Sequence, residues 1–512
     1  MDSVLSSRRR LLFQAAALAG AALSPAAWTS AVARTRLADY PFRAGIASGE
    51  PLPDGVVLWT RLVTDPQAIG SGMGAAPIKV GWELAEDDGF RRVVRHGRTL
   101  AVPEAGHSVH VEVAGLRPDR RYWYRFTAGG HVSAVGRTRT SPEPDAKVDK
   151  LRIAYGSCQK YESGFYSAHA HLAEEDPDFV LFLGDYIYEQ AATRDGVRLH
   201  PAMPAQDLAS YRQRYAWYKA DPDLQAAHAA APWVVMWDDH EVSNDYGGDQ
   251  DRTNPPVAQF LARRAAAFQA YYENMPLRRS VKPVGPDMRL YRTLDWGRLA
   301  RVAILDDRQY RAHRSCDAQS KGKLIPASCP ERSDPARSML GEPQERWLQD
   351  QLRDTPARWN LLGQQTLVSE TITPDGRTSN DGWDGYAQTR KRVLEGWRDH
   401  KVSNPVVLGG DVHSFFAADL SLEPGKPIAS EFVGGSIASL GRSREIVRGM
   451  MAVNPQIKFG DGDTRGYGLV ELTAKDCAVT FRAVESALVP KSPVRDLARF
   501  VVEDGEAGLK RA

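Results

Sequence analysis

Cysteine is scarce in this chain: four residues in 512. Cys158, Cys316, Cys329 and Cys477 are too few to build a disulfide scaffold, so the fold must rest on buried apolar surface. Net charge is almost absent as well, with 66 Lys and Arg against 64 Asp and Glu. That balance excludes the broad basic footprint of a nucleic-acid-binding chain or of a polybasic membrane surface, and no nucleic-acid partner is expected. Beyond about residue 23 no apolar run approaches the ~18 residues that a membrane span requires, so no stable membrane anchor is expected. Internal repeats and low-complexity tracts are lacking too. What remains is an ordinary globular composition, 42% hydrophobic and 9% aromatic, long enough for two or more domains. An anionic ligand would have to be held locally, by metal ions or a few arginines.

The amino terminus reads as a targeting segment over residues 1–33. Ser7-Arg8-Arg9-Arg10-Leu11-Leu12-Phe13 precedes an Ala-rich apolar run, and Ala31-Val32-Ala33 supplies a small-residue cleavage pattern. The paired arginines resemble a twin-arginine signal, which implies the twin-arginine export machinery as a partner and a periplasmic or extracellular location; a plain secretory signal is the alternative. Folded export suits a protein that takes up its metal before leaving the cytoplasm. After export, Cys316 and Cys329, in one polar loop, could close a short ring worth ~3 kcal/mol. Cys477, in an alternating stretch, reads as a small buried residue.

Residues 40–145 alternate apolar and polar side chains between Pro, Gly and Asp turns, which predicts an all-β domain. Its Gly115-Leu116-Arg117-Pro118 turn and Tyr122-Trp123-Tyr124 strand resemble a fibronectin III-like sandwich. Ser141 to Lys150 reads as a linker. The catalytic domain is expected over 151–487, opening with a βαβ unit: a strand from Arg152, a helix near Phe165 to Glu175, and a wholly apolar strand from Phe179 to Leu183. Further strands are predicted at Pro232 to Trp237, Leu290 to Thr293, Leu299 to Asp306, Trp359 to Gln365 and Pro405 to Gly410. Helices are predicted around Val257 to Asn274 and Glu342 to Arg353. The pattern is α/β, a layered α/β/β/α core after an N-terminal sandwich. Residues 488–512 read as a carboxyl-terminal helix or tail.

Three apolar strands each end in candidate metal ligands: Gly184-Asp185-x-x-Tyr188, Trp237-Asp238-Asp239-His240-Glu241 and Gly409-Gly410-Asp411-x-His413. Any one cluster could merely cap a turn. Together, with Cys158 at a fourth strand end, they point to a dinuclear metal site, because so many carboxylates and imidazoles on one sheet rim would otherwise repel and lose hydration.

These clusters resemble the metallophosphoesterase pattern in the variant form of PhoD-type alkaline phosphatases and phosphodiesterases. In that form a Gly-Ser-Cys precedes Gly-Asp-x-x-Tyr, and Asp-Asp-His-Glu and Gly-Asp-Val-His replace the commoner second and third motifs. Leu305-Asp306-x-Arg308-x-Tyr310-Arg311, Gly341-x-x-Gln344-x-x-Trp347-Leu348, and Trp383-Asp384-Gly385-Tyr386 with Arg390 extend the resemblance over nearly the whole chain after the signal.

The resemblance implies a multinuclear metal centre. Cys158, Asp185, Tyr188, Asp411 and His413 would hold the first metal; phenolate and thiolate suit Fe3+, because only a strong Lewis acid ionises both at neutral pH. Asp185 would bridge to a second metal held through oxygen by Asp239 and Asn244, which suits Ca2+, with Mg2+ or Mn2+ as alternatives. Asp238 would support the loop or a ligand from behind, and Gln364 and Gln365 stand where related enzymes carry a histidine ligand. The implied activity is hydrolysis of phosphate mono- and diesters by a metal-activated hydroxide, with His240 as proton donor to the leaving alkoxide and Arg390 as a phosphate contact. The alternative is a secreted binding protein for phosphate compounds with a degenerate phosphoesterase domain.

Overall fold

The computed structural model describes residues 36–512 apart from 194, 321 and 354; the targeting segment 1–33 lies outside the described residues. Two large sheets form the body of the molecule. One has ten strands in the order Lys510–Arg511, Val494–Glu503, Asp476–Val484, Arg465–Thr473, Lys150–Gly156, Phe179–Leu183, Trp233–Met236, Ile46–Leu52, Gly55–Arg61, Ser108–Val113. The other has seven: Arg292–Trp296, Ala300–Ile304, Trp359–Gly363, Pro405–Gly409, Lys426–Gly434, Phe415–Glu423, Ile457–Asp461. The central strands of each run parallel.

The apolar runs explain why these strands are central. In the second sheet Val302, Leu361, Val406 and Leu408 face the first sheet, while Ala303, Leu362 and Val407 face helices Gly341–Arg353 and Ala387–Asp399 on the other side. Both faces are dry, so alternation of polar and apolar residues disappears from the sequence. The inner faces meet closely: a methyl group at Gly363 would lie 3.1 Å from Leu181. Helices Ser167–Glu174, Leu208–Lys219, Pro222–Ala230 and Val257–Asn274 pack with the first sheet. Leu208–Lys219 opens on an Asp207/Ser210 capping box, and Asp221 with Pro222 starts the next helix. This is the α/β/β/α architecture expected from the sequence.

Two boundaries differ from the sequence reading. The N-terminal β region does form a sandwich, with a shared core of Val56, Leu58, Val80, Tyr122, Tyr124 and Phe126 among others. Its Gly-Leu-Arg-Pro turn is fastened by the Arg117 amide donating to the Tyr122 hydroxyl at 3.0 Å, the kind of tyrosine contact known from such sandwiches. However, one leaf, made of Ile46–Leu52, Gly55–Arg61 and Ser108–Val113, continues the ten-stranded sheet through a parallel bridge between Gly49 and Trp233. The sandwich is therefore not a separate body. The carboxyl-terminal segment is neither helix nor tail: Val494–Glu503 pairs antiparallel with Asp476–Val484 and buries Ala498, Phe500 and Val502 at every second position. A period of two, with a sheet edge to dock on, wins over helical propensity.

Candidate metal centre

Each candidate ligand sits just past a central parallel strand, where the chain must turn sharply out of the sheet. Cys158 (φ 59°), Asp185 (φ 55°), Asp411 (φ 57°) and His413 (φ 53°) all adopt left-handed backbone. Four such non-glycine residues at one rim store strain, which the surrounding bonds must hold. They do so across elements. The Cys158 amide donates to Gly184 O at 3.1 Å and the Gln159 amide to Asp185 O at 3.0 Å. Glu241 accepts from the amides of Asp185 (3.1 Å), Tyr186 (2.5 Å) and Asp238 (2.7 Å), buckling two strand ends together. Gly184 (φ 95°) lets them approach, since a Cβ there would lie 2.4 Å from Asp238 Cβ.

The result is a set of overlapping donor groups. Donor atoms of Cys158, Asp185 and His413 lie within 4.8 Å of one another, as do those of Asp185, Asp239 and His240, and those of Asp238, Asp239 and Asp411. Asp185 belongs to the first two groups, the position of a bridging ligand. The Tyr188 hydroxyl lies 2.8 Å from Asp185 Oδ2 and 3.0 Å from His413 Nε2. His413 Nδ1–H donates to Leu440 O at 2.8 Å, so Nε2 carries the free lone pair in the neutral ring and faces Tyr188. His240 stacks on Tyr188 with ring centres 4.0 Å apart, and its Nδ1 meets Glu189 Oε2 at 2.7 Å. Asn244 is anchored by its amide on Glu189 Oε1 and lines the same cleft.

The electrostatics of this site ask for cations. Burial, reinforced by Asp239 and Asp411, pushes Asp185 up to about 8, although His240 works against it. Burial and the neighbouring carboxylates likewise raise the Cys158 thiol and the Tyr188 phenol well above their usual values. Protein charges alone leave these anionic ligands poorly compensated, and a multivalent ion would reverse that. Burial lowers His413 to about 4, which keeps it neutral and able to ligate. Sulfur, phenol, imidazole and carboxylate on one side of Asp185, and oxygen donors on the other, fit two metal ions of different hardness.

Part of the countercharge comes from residues the sequence reading had not placed. Arg308, fully buried, holds Asp238 through Nε (2.5 Å) and a terminal nitrogen (3.2 Å), Asp381 at 2.9 Å, and approaches Asp411 at 3.5 Å and Asp239 at 3.9 Å. Asp381 also takes Arg311 at 2.9 Å and Lys323 at 3.2 Å. Burial alone would raise the Asp381 carboxyl; Arg308, Lys323 and Arg311 together hold it well below the usual range. Arg308 and Arg311 stood out only as motif residues, and Asp381, in a turn ahead of Trp383, had no distinguishing local signal.

One expectation is corrected. Arg390 is not among the groups lining the cleft: its guanidinium is bound to Asp384 at 2.5 Å and Glu370 at 3.3 Å and faces a separate cavity. It steadies Asp384, which does line the cleft, rather than meeting a phosphate. Gln364 and Gln365, whose amides stand where related enzymes carry a histidine ligand, are taken up by the protein itself. Gln364 bonds the Thr366 backbone and Trp383 Nε1, and Gln365 bonds the Asp307 amide and Leu305 O.

The cleft above the donor groups measures about 320 Å³. Its lining includes the charged side chains Lys323 and Arg442 and the apolar side chains Leu367, Phe416, Leu440 and Met450. Among the described residues no helix is long and apolar enough to cross a membrane.

Comparison with known proteins identifies the family. Residues 153–481 match the model of the PhoD-like phosphatase family, and residues 27–142 match that of the PhoD-like phosphatase N-terminal domain. Alkaline phosphatase D of Bacillus subtilis (strain 168) is 42% identical over 494 residues, covering 94% of this chain and 84% of that one. A solved structure of PhoD superposes with a TM-score of 0.89 at 41% identity, over 93% of both chains. The purple acid phosphatase PPD1 of yellow lupin (Lupinus luteus) shares the fold, with a TM-score of 0.56 at 12% identity over 91% of this chain and 74% of that one. The chain is thus an enzyme, a phosphatase of the alkaline phosphatase D type, and it belongs to the PhoD-like phosphatase family.

Proposed function

We propose that this protein hydrolyses phosphate monoesters and diesters at a centre containing Fe3+ and Ca2+, after export by the twin-arginine route. Cys158, Asp185, Tyr188, Asp411 and His413 would hold the iron; Asp185, Asp239 and Asn244 would hold calcium, with Mg2+ or Mn2+ as substitutes. When bound, such ions supply Lewis acidity, neutralising the phosphoryl oxygens and lowering the pKa of a water nucleophile.

The protein's own groups do the rest. The sharing of Asp185 between two donor groups at the floor of an open cleft supports the reading most directly. His240 is held through Nδ1 by Glu189, which leaves Nε2 as the nitrogen able to deliver a proton to the leaving alkoxide. Arg442 lines the cleft with no salt bridge to a carboxylate among the described residues; its recorded partner is the Met450 sulfur at 3.5 Å. That leaves its guanidinium free for a phosphoryl oxygen. The apolar lining residues Leu367, Phe416, Leu440 and Met450 can accept the ester's organic group, on one or both sides of the phosphorus.

Elemental analysis of natively exported protein, with rates on p-nitrophenyl phosphate and bis(p-nitrophenyl) phosphate, tests this reading. Iron and calcium with turnover of both esters is the expected result; zinc in place of iron, or turnover of the monoester alone, overturns the corresponding part. Arg8→Lys with Arg9→Lys should leave the protein in the cytoplasm, and unimpaired export would remove the twin-arginine assignment.

A further inference from the structure

Residues between Leu305 and Met339 leave the second sheet, and Lys323, within this excursion, lines the cleft. Among the described residues of that excursion the buried apolar side chains are Cys316, Ile325 and Cys329 alone, and they form a small cluster of their own. Cys316 and Cys329 are joined in a disulfide that closes a ring 13 residues apart in sequence. Lys323 lies inside the ring.

The ring docks beside the metal-binding carboxylates. Leu324–Pro326 pairs with Arg377–Ser379, and the next amide, Asn380 N–H, donates to Lys323 O at 2.9 Å. The following residue is Asp381. Lys323 Nζ reaches Asp381 Oδ2 at 3.2 Å and Asp245 Oδ1 at 2.5 Å, the latter an ion pair off the hydrogen-bonding direction. The Asp245 amide in turn donates to Asp239 Oδ2 at 2.5 Å. Donor atoms of Asp239, Asp245 and Asp381 lie within 4.8 Å of one another, so the ammonium neutralises a carboxylate cluster that ends on a candidate metal ligand.

We propose that the Cys316–Cys329 disulfide is a redox latch that delivers Lys323 to the Asp245 and Asp381 carboxylates, so that the neighbouring metal site is fully organised only in the oxidised protein. Lys323 is a positioning residue here: it acts on Asp239 through Asp245. The inference rests on Asp239 being a metal ligand. Reduction would break the S–S bond and leave two thiols, taking two electrons and two protons from a dithiol reagent, which departs as its own cyclic disulfide. The latch complements export of an already folded enzyme: metal taken up in the reducing cytoplasm would enter with the ring open, and an oxidising compartment would then close the ring and complete the site.

The test compares oxidised wild type, wild type reduced by dithiothreitol after folding, and the Cys316→Ser/Cys329→Ser, Lys323→Met and Lys323→Arg variants. Two readouts are followed: kcat/KM on p-nitrophenyl phosphate, and the rate at which an amine-reactive acetylating ester modifies Lys323, measured by peptide mass spectrometry. Opening the ring should speed acetylation of Lys323 severalfold and lower kcat/KM by about tenfold, the low end for loss of a group behind a metal ligand. Lys323→Met should lose as much and become insensitive to dithiothreitol; Lys323→Arg should retain most activity and remain sensitive. Unchanged acetylation in both the reduced protein and the Ser variant overturns the latch, whatever the activity. So does a further loss of activity when Lys323→Met is reduced by dithiothreitol. Absence of turnover in the oxidised wild type would instead count against the phosphatase assignment, while the acetylation readout still tests the latch.

Discussion

Replacing Arg308 by Met offers the most direct test of how the site balances its charges. The guanidinium is fully buried and reaches four carboxylates, Asp238, Asp381, Asp411 and Asp239, at 2.5 to 3.9 Å. Burial opposes its charge, but Asp238, Asp381 and Asp239 hold it well above the usual arginine value. Met keeps much of the volume and removes the charge, leaving Asp238 without the one side-chain partner it has among the described residues. Breaking a buried pair on one side costs about 3–5 kcal/mol. Unfolding entropy near 2.1 cal/mol/K per residue amounts to about 1 kcal/mol/K for a chain of this size, so Tm should fall by about 3–5 °C if unfolding is cooperative. Calorimetry in chelator should show this loss in full. With excess calcium, part of it should return, because a bound cation relieves the same repulsion. A variant whose Tm in chelator stays within about 1 °C of wild type would refute the assignment of Arg308 as the main countercharge.

Gly184→Ala places a Cβ 2.4 Å from Asp238 Cβ at φ 95°, so it should destabilise by about 3 kcal/mol or more and abolish turnover; a normal Tm would show that the strand end can shift. His240→Asn should lower kcat by about 100-fold on alkyl phosphates and far less on p-nitrophenyl phosphate, whose leaving group needs no proton; equal losses on both would remove the acid role. His110 and His169 are lowered by burial to about 4 and about 3. In the unfolded chain each binds a proton below about 6.5, whereas the folded chain binds it only near the lowered value. Stability should therefore fall as pH drops from 6.5 toward 4, by ~1.4 kcal/mol per pH unit for each histidine. His169→Gln should flatten the Tm profile in that window, and an unaltered slope would refute the cause.

The candidate ligands were legible because their signal is local. Cys158, Asp185, Tyr188, Asp239, Asn244, Asp411 and His413 all follow short apolar runs, and the carboxyl ends of parallel strands converge on one rim, so the structure brings them together. Arg390 misled because a motif arginine near the site can be spent on an ion pair; only packing reveals that Asp384 and Glu370 occupy it. Glu241 stood inside a recognised motif, yet its part, gathering three amides from two strand ends, depends on contacts between residues about 55 positions apart. The strand Val494–Glu503 carried a visible alternation of Ala498, Phe500 and Val502. It nevertheless reads as helix or tail in the sequence, because its strand state depends on the edge that Asp476–Val484 offers.

The sequence by itself determined the layered α/β class, the all-β start, the strand-end candidate ligands and the family to which they point, because burial periodicity and ligand type are properties of neighbouring residues. Tertiary structure alone decided how the charges are balanced. Arg308 and Lys323 come from one excursion of the chain and Asp381 from another, and Coulombic interaction in a buried site depends on distance in space, which residue spacing does not encode.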